Sequence, residues 1–226
     1  LYLCSFTLFL AGCHKEETPV NPELHPASSA KRVVLAYLVS NNLAGNNLDS
    51  NLKENIVWMY QGLAAATDTC SLLVFYRPYS SDAVLPHPAI LSFTTDGRGR
   101  INRSQALSGN ELTSTNVLKA AYTEKEYTES DFNATSAETM KTILADMQDL
   151  ISAPSYGLIF GSHGTGWIKG SYTLPNRSFG DDNRYSINIP EMADAIYKAF
   201  KGKKADFILF DACMMGTAEV CYELRN

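Results

Sequence analysis

The sequence predicts an α/β fold built on a mostly parallel sheet that is covered by helices. Short apolar runs of strand length alternate along the chain with segments whose apolar residues recur every three or four positions. The runs are apolar throughout, as is typical of strands buried on both faces of a parallel sheet. A chain of 226 residues with 45% hydrophobic content can bury a core of this kind.

The first half of the chain predicts three strands and a long helix. Strands are expected over residues 33–39, 72–76 and 89–94. The third strand enters a turn at Asp96-Gly97. The helix is predicted by a regular apolar stripe, formed by Leu48, Leu52, Ile56, Met59 and Leu63. The polar residues 97–135 predict only a short helix near residues 116–122.

The second half of the chain repeats this alternation. Ser136 is a candidate N-cap for one helix, and Pro190 suits the first turn of another. Between them, residues 156–160 predict a strand that is followed by a long loop rich in Gly, Asn and Asp. Residues 207–210 predict the last strand, and we expect the final helix to begin directly after it, at Cys213.

The charge balance gives no reason to expect a nucleic-acid partner. The chain has 19 basic and 24 acidic residues, a net charge of −5. Its apolar content and 11% aromatic residues exclude disorder over most of its length. No stretch of about 18 apolar residues follows the N-terminus, so no internal membrane span is predicted. We expect a globular, monomeric domain.

The N-terminal residues predict export and a lipid anchor. Residues 1–12 are interpreted as the remnant of a signal peptide, because they are apolar and end in small residues. Leu10-Ala11-Gly12-Cys13 resembles the bacterial lipoprotein processing box, in which the Cys receives the lipid. Residues 13–30 are polar and contain three prolines, which predicts a flexible tether. We therefore expect a bacterial lipoprotein held at the cell envelope or surface through Cys13.

A single domain is expected over residues 31–226, truncated at its C-terminal end. Helical spacing persists through Val220 and Leu224 without a stop signal. If Cys4 leaves with the signal and Cys13 carries lipid, an odd set of thiols remains, namely Cys70, Cys213 and Cys221. At least one thiol is then free. Cys221, two turns into the predicted helix, is the one expected to be a small buried hydrophobe.

His163 and Cys213 are the candidate catalytic residues, because each directly follows an apolar strand. If those parallel strands are neighbours about 4.8 Å apart, both side chains project over the same edge of the sheet, where reactive groups gather. An imidazole and a helix N-terminus would both favour the thiolate that attacks a carbonyl carbon. Gly164 lacks a side chain, so its backbone N–H can approach a substrate oxyanion closely.

Three motifs together resemble the clostripain family of cysteine peptidases, part of the caspase-like group. They are Ser162-His163-Gly164-Thr165-Gly166-Trp167, Ser178-Phe179-Gly180-Asp181-Asp182 and Asp211-Ala212-Cys213-Met214-Met215-Gly216. Asn41-Asn42-Leu43 is similar to the family's opening motif, although Ser40 stands where an acidic residue is frequent. The resemblance implies a caspase-like α/β/α sandwich that cleaves protein or peptide substrates after Arg, or less readily after Lys.

The resemblance also assigns roles to individual residues. It implies that Cys213 is the nucleophile and His163 the proton donor and acceptor. Asp211 would line the pocket for the basic side chain, where a carboxylate suits a guanidinium; the alternative is that Asp211 caps the following helix. Self-cleavage in the loop after His163 is implied, with Lys169, Arg177 and Arg184 as candidate sites. Calcium is a possible cofactor, with Asp181 and Asp182 as weak candidate ligands, and no other cofactor is expected.

Three other functions are considered. A non-catalytic surface lipoprotein could use the same fold to bind peptides or glycans, but that role would not need both His163 and Cys213. Phosphate binding by residues 161–166 is disfavoured, because this loop lacks the Gly-Lys-Ser/Thr ending of a nucleotide-binding loop. A serine hydrolase is disfavoured because the sequence has no Gly-x-Ser-x-Gly motif.

Overall fold

The computed structural model describes residues 29–41, 48–66, 69–79, 84–93, 106–166 and 178–225. Its strands are β1 (Arg32–Val39), β2 (Cys70–Arg77), β3 (Ala89–Ser92), β4 (Tyr122–Glu126), β5 (Tyr156–Gly161), β6 (Ser178–Asp182), β7 (Tyr185–Asn188) and β8 (Phe207–Asp211). Six of them form one sheet in the order β4-β3-β2-β1-β5-β8, and β6 and β7 form a separate hairpin. Strands β1, β2, β5 and β8 run parallel, whereas β3 is antiparallel to both of its neighbours. The predicted mostly parallel sheet is therefore confirmed.

Helices cover the two faces of this sheet. They are α1 (Asp49–Ala65), α2 (Ser114–Ala120), α3 (Ala137–Leu150), α4 (Ile189–Ala199) and α5 (Ala218–Glu223). Helices α1 and α2 pack on one face through apolar residues such as Leu52, Ile56 and Val117. Helices α3 and α4 pack on the other face through residues such as Met140 and Met192. The predicted α/β/α sandwich is thus confirmed, and none of the described helices is long and apolar enough to cross a membrane.

The predicted helix starts are confirmed by their capping contacts. Ser136 Oγ accepts a hydrogen bond from the backbone N–H of Thr139 at 3.1 Å, as an N-cap residue should. Pro190 lies in the first turn of α4, where its missing N–H removes no helical hydrogen bond. Asn188 caps the same helix by accepting from the N–H of Glu191 at 2.9 Å.

The structure differs from the sequence-based expectations in three elements. Strand β4 and the β6–β7 hairpin form from polar sequences that carry no apolar run, because their backbone groups pair with neighbouring strands. Helix α5 begins only at Ala218, where Thr217 is the N-cap, so Cys213 does not lie at a helix N-terminus. The prediction of a helix directly after β8 was wrong. Cys221 is exposed, not buried as predicted.

The fold begins slightly earlier than predicted. The N–H of Ala30 donates to the carbonyl of Ser152 at 3.0 Å, and Ser29 forms an isolated bridge with Ser152. These two residues, which the sequence assigned to the tether, therefore contact the sheet domain. The Asp96-Gly97 turn, the signal remnant over residues 1–12 and the rest of the tether lie outside the described residues.

Candidate active site

The carboxyl ends of β5 and β8 bring the two candidate catalytic residues to one edge of the sheet. Gly161 and Asp211 are register partners in this parallel pair, and the N–H of Ser162 donates to the carbonyl of Asp211 at 3.3 Å. His163 and Cys213 each lie two residues beyond the paired ends. The neighbouring strands required by the sequence argument are therefore present.

A surface cavity of about 690 Å³ lies at this edge of the sheet. His163, Asp211 and Cys213 line it from the strand ends. Cys213 and Asp211 are exposed, and His163 is half-buried. The opposite wall is formed by helix α1, whose cavity-lining residues include Asn55 and Trp58. The cavity thus combines a thiol, an imidazole and a carboxylate in a space open to solvent.

The loops that carry His163 and Cys213 are in close backbone contact. A Cβ placed on Gly164 would lie 2.6 Å from the carbonyl oxygen of Cys213. A Cβ on Gly166 would lie 2.0 Å from the carbonyl oxygen of Met214, and Gly166 has a φ of +56°. Only residues without a side chain allow this approach. Gly164 and Gly166, which follow His163, therefore have a packing role.

The backbone N–H of Gly164 is not used by the strand pairing around it. Gly164 forms an isolated antiparallel bridge with Phe179. The two hydrogen bonds of that bridge are donated by the N–H of Thr165, to Ser178 at 3.0 Å, and by the N–H of Gly180, to His163 at 2.8 Å. The N–H of Gly164 takes part in neither bond, so the strand pairing leaves it able to donate to a bound ligand.

Ser162 has a positioning role that the sequence analysis did not assign. It is 2% exposed, and its Oγ donates to the carbonyl of Val39 at 2.7 Å. The same Oγ accepts from the N–H of Asp181 at 3.3 Å. One hydroxyl therefore joins the ends of β1, β5 and β6, directly next to His163. The position of Ser162 directly before His163 in the Ser-His-Gly motif is the sequence signal for this role.

The fold and the motifs agree with a comparison against known families. The C11 peptidase model, described as the clostripain family, matches residues 37–226. The chain belongs to the clostripain family. Clostripain from Hathewaya histolytica is 28% identical over 191 residues, which cover 80% of this chain and 34% of that protein. The chain thus spans about a third of this clostripain relative.

Solved clostripain-family structures share the sandwich fold. A C11 protease from Parabacteroides distasonis, solved as an inactive zymogen, has a TM-score of 0.61 and 26% identity, and the match covers 87% of this chain and 46% of that one. A secreted C11 cysteine protease from Bacteroides thetaiotaomicron, solved with an irreversible peptide inhibitor, has a TM-score of 0.60 and 23% identity, with the same coverage of both chains. At this identity the second match supports the fold alone.

Asp211 of this clostripain-family domain does not cap a helix. Helix α5 is capped by Thr217, whose side chain accepts from the N–H of Val220 at 3.5 Å. The carboxylate of Asp211 instead accepts a hydrogen bond from Nδ2 of Asn55 on helix α1. The capping alternative is therefore wrong, and Asp211 remains at the cavity beside Cys213.

Asp182 is a buried structural carboxylate. It is 1% exposed, and its oxygens accept from Asn41 Nδ2 at 2.6 Å, from Arg77 Nε at 3.1 Å and from the N–H of Ala134 at 2.7 Å. Burial, followed by the nearby Asp182 charge, raises the pKa of Tyr37 well above its usual value. Tyr37 therefore stays protonated and donates to the carbonyl of Ala134 at 2.6 Å.

These contacts do not fit a calcium ion at Asp181 and Asp182. The oxygens of Asp182 face a guanidinium, an amide N–H₂ and a backbone N–H, all of which repel a cation. Asp181 accepts from the N–H of Arg184 at 3.0 Å, as in a local turn. Within the described parts of the chain, no group of three or more His, Cys, Asp or Glu side chains could hold a metal ion.

The remaining predicted site residues are distributed as follows. Arg184 lies in the turn between β6 and β7, is exposed and has a φ of +74°. Lys169 and Arg177, the other candidate cleavage sites, lie outside the described residues, as does the lipidation candidate Cys13. Asn55 and Trp58 of helix α1 are cavity residues that were not predicted, because nothing in their local sequence relates them to strand ends more than a hundred residues away.

Proposed function

We propose that this protein is a cysteine endopeptidase that cleaves peptide bonds after Arg or Lys, with Cys213 and His163 as its catalytic dyad. The proposal depends mainly on the register pair Gly161–Asp211, because it brings both residues to one cavity from neighbouring strand ends. Membership of the clostripain family supports the reaction class.

In the proposed reaction, His163 accepts the proton of the Cys213 thiol. The thiolate attacks the carbonyl carbon of the scissile bond, and the N–H of Gly164 stabilises the resulting oxyanion. The imidazolium of His163 then gives its proton to the leaving amine, and the C–N bond breaks to leave a thioester on Cys213. Water, deprotonated by His163, attacks the thioester carbonyl carbon, and the C–S bond breaks to release the acid product. The proton on His163 then returns to the sulfur of Cys213. Because helix α5 begins only at Ala218, the imidazole replaces the helix dipole as support for the thiolate.

Substrate preference is proposed to come from Asp211. Its exposed carboxylate lies in the same cavity as Cys213, two residues before it. Its carboxylate accepts a hydrogen bond from the neutral amide of Asn55, which leaves the negative charge uncancelled for a guanidinium or an ammonium group. This carboxylate next to the nucleophile supports cleavage after a basic residue.

Self-processing is proposed to occur after Lys169 or Arg177, and not after Arg184. The N–H of Arg184 is held by Asp181, and its left-handed backbone conformation belongs to a tight hairpin turn. A peptidase binds an extended substrate, so cleavage there would first require the turn to open. Mass spectrometry of the full-length protein tests this idea: Cys213→Ala should abolish cleavage, and Arg184→Ala should leave it unchanged. Identical processing in the parent and in Cys213→Ala would contradict it.

Export and a lipid anchor on Cys13 are proposed from the sequence of residues 1–30. Labelling with a fatty-acid analogue should mark the parent and leave Cys13→Ala unmarked. Labelling that persists in Cys13→Ala would exclude this anchor.

The activity is tested on the full-length protein with a peptide that carries Arg before a coumarin leaving group. Cys213→Ala and His163→Ala should each reduce kcat/KM at least about a thousandfold. Cys221→Ala is a matched control, because Cys221 is also an exposed thiol but lies on helix α5. It should retain full activity, and alkylation of Cys213 alone should inactivate the parent. A folded parent that cleaves no basic peptide would instead favour the non-catalytic binding protein.

A further inference from the structure

Helix α1 presents a polar row to the cavity. Its buried residues, among them Ile56, pack on the sheet, whereas Asn51, Glu54, Asn55 and Trp58 line the cavity at helical spacing. This row therefore forms the wall that faces Asp211 and Cys213. The proposed reaction steps assign no role to these side chains of helix α1.

Asn55 is the member of this row that contacts Asp211. Its Nδ2 donates a hydrogen bond to Oδ2 of the carboxylate across the sheet edge. A neutral amide orients a carboxylate without cancelling its negative charge. With Nδ2 bound to Asp211, the Oδ1 atom of the same amide is an acceptor close to the carboxylate. Asn55 and Asp211 together thus offer several acceptor atoms at one place in the cavity.

We propose that Asn55 is a specificity-determining residue that completes the binding site for an arginine side chain. A guanidinium is planar and has several N–H donors, so it can reach the Asp211 carboxylate and the Asn55 carbonyl oxygen together. A lysine ammonium is a compact, strongly hydrated charge whose three donors lie on one nitrogen, so it gains less from a second acceptor beside the carboxylate. The pair therefore favours Arg over Lys. This inference rests on the proposed cleavage after basic residues and names the residue that distinguishes them.

The test compares two matched peptides, one with Arg and one with Lys before the cleaved bond, on the full-length protein. Asn55→Ala removes the amide, and Asn55→Leu replaces it with an apolar group of similar size. Both variants should lower kcat/KM about tenfold for the Arg peptide and less than about threefold for the Lys peptide. The Arg-to-Lys ratio should therefore fall. Gln61→Ala is the matched control, because Gln61 is an exposed amide on α1 that does not line this cavity.

The outcomes separate this inference from the proposed function. If the parent cleaves neither peptide, the proposed function fails and the role of Asn55 fails with it. If the parent cleaves both peptides and the Asn55 variants leave the Arg-to-Lys ratio unchanged, only the role of Asn55 is overturned. An equal loss of activity on both peptides would also overturn it, because that result indicates general support of the site and not selection of Arg.

Discussion

The backbone of Gly164 lies against the carbonyl oxygen of Cys213, so close that no side chain fits between them. A Cβ at residue 164 would lie 2.6 Å from that oxygen and 3.3 Å from the Cβ of Ala212. The loops after β5 and β8 are therefore in direct contact. The relative placement of His163 and Cys213 depends on this contact, because His163 directly precedes Gly164 and the carbonyl oxygen belongs to Cys213.

Gly164→Ala should reduce both stability and activity. The added methyl group forces the two loops apart, and overpacking of this kind lowers the free energy of unfolding by about 1–3 kcal/mol. We expect kcat/KM to fall at least about tenfold, because the dyad and the oxyanion donor shift together. Urea unfolding and peptide cleavage measure the two effects. Gly62→Ala on helix α1 is the control, because a Cβ there meets no atom within 4 Å. Equal behaviour of the two variants would contradict the packing role.

Ser162→Ala should weaken activity more than its effect on stability explains. Loss of the Oγ contact leaves the buried carbonyl of Val39 without this donor, at a cost of about 1–3 kcal/mol. His163 then loses its anchored neighbour, and we expect kcat to fall about tenfold with little change in KM. Ser136→Ala, which removes the cap of helix α3 at a position that does not line the cavity, should cost about 1 kcal/mol and leave kcat unchanged. Parallel losses of kcat in both variants would show that Ser162 acts through stability alone.

Asp182→Ala should be among the most destabilising changes in the chain. It leaves the donors of Arg77, Asn41 and Ala134 facing a cavity, and breaking a buried ion pair costs about 3–5 kcal/mol. Asp194→Ala is the contrasting control, because the Asp194–Lys198 pair is exposed to solvent and exposed ion pairs stabilise a fold only weakly. Thermal unfolding measures both variants.

Chelation with EDTA should leave the parent's unfolding temperature unchanged, and a decrease would instead indicate a bound cation.

Asp49 should stabilise the fold in a pH-dependent way. Burial alone would raise its pKa, but hydrogen bonds from Lys53, Tyr76 and the N–H of Tyr79 outweigh burial and lower the pKa below 3.8. The pKa of Asp49 is lower in the folded than in the unfolded protein. The charged carboxylate therefore stabilises the fold at pH values above the unfolded pKa, and this stabilisation is lost as the pH falls through the folded pKa. The stability difference between the parent and Asp49→Asn should be constant from about pH 7 to 5 and shrink below about pH 4. A stability difference between the two proteins that grows as the pH falls would contradict a lowered pKa of Asp49.

Periodicity and capping were sufficient to predict most of the secondary structure. The apolar runs that became β1, β2, β5 and β8, and the stripes of α1, α3 and α4, are local patterns that can be recognised one segment at a time. Strand β4 and the β6–β7 hairpin were missed because their polar residues form strands only through pairing with other segments. Helix α5 begins at Ala218 because Thr217 is its N-cap, whereas the prediction placed the start of this helix at Cys213.

By itself, the sequence determined the layered α/β fold, the family and the identity of the residues with reactive side chains, because these properties depend on local pattern and chemistry. Only the tertiary structure decided which distant residues meet. The order β2-β1-β5-β8 places Val39 beside Ser162, and the packing of β6 and helix α1 near the strand ends brings Asp182 to Arg77 and Asn55 to Asp211. No local signal encodes these contacts, because each joins segments whose approach depends on the whole sheet having formed.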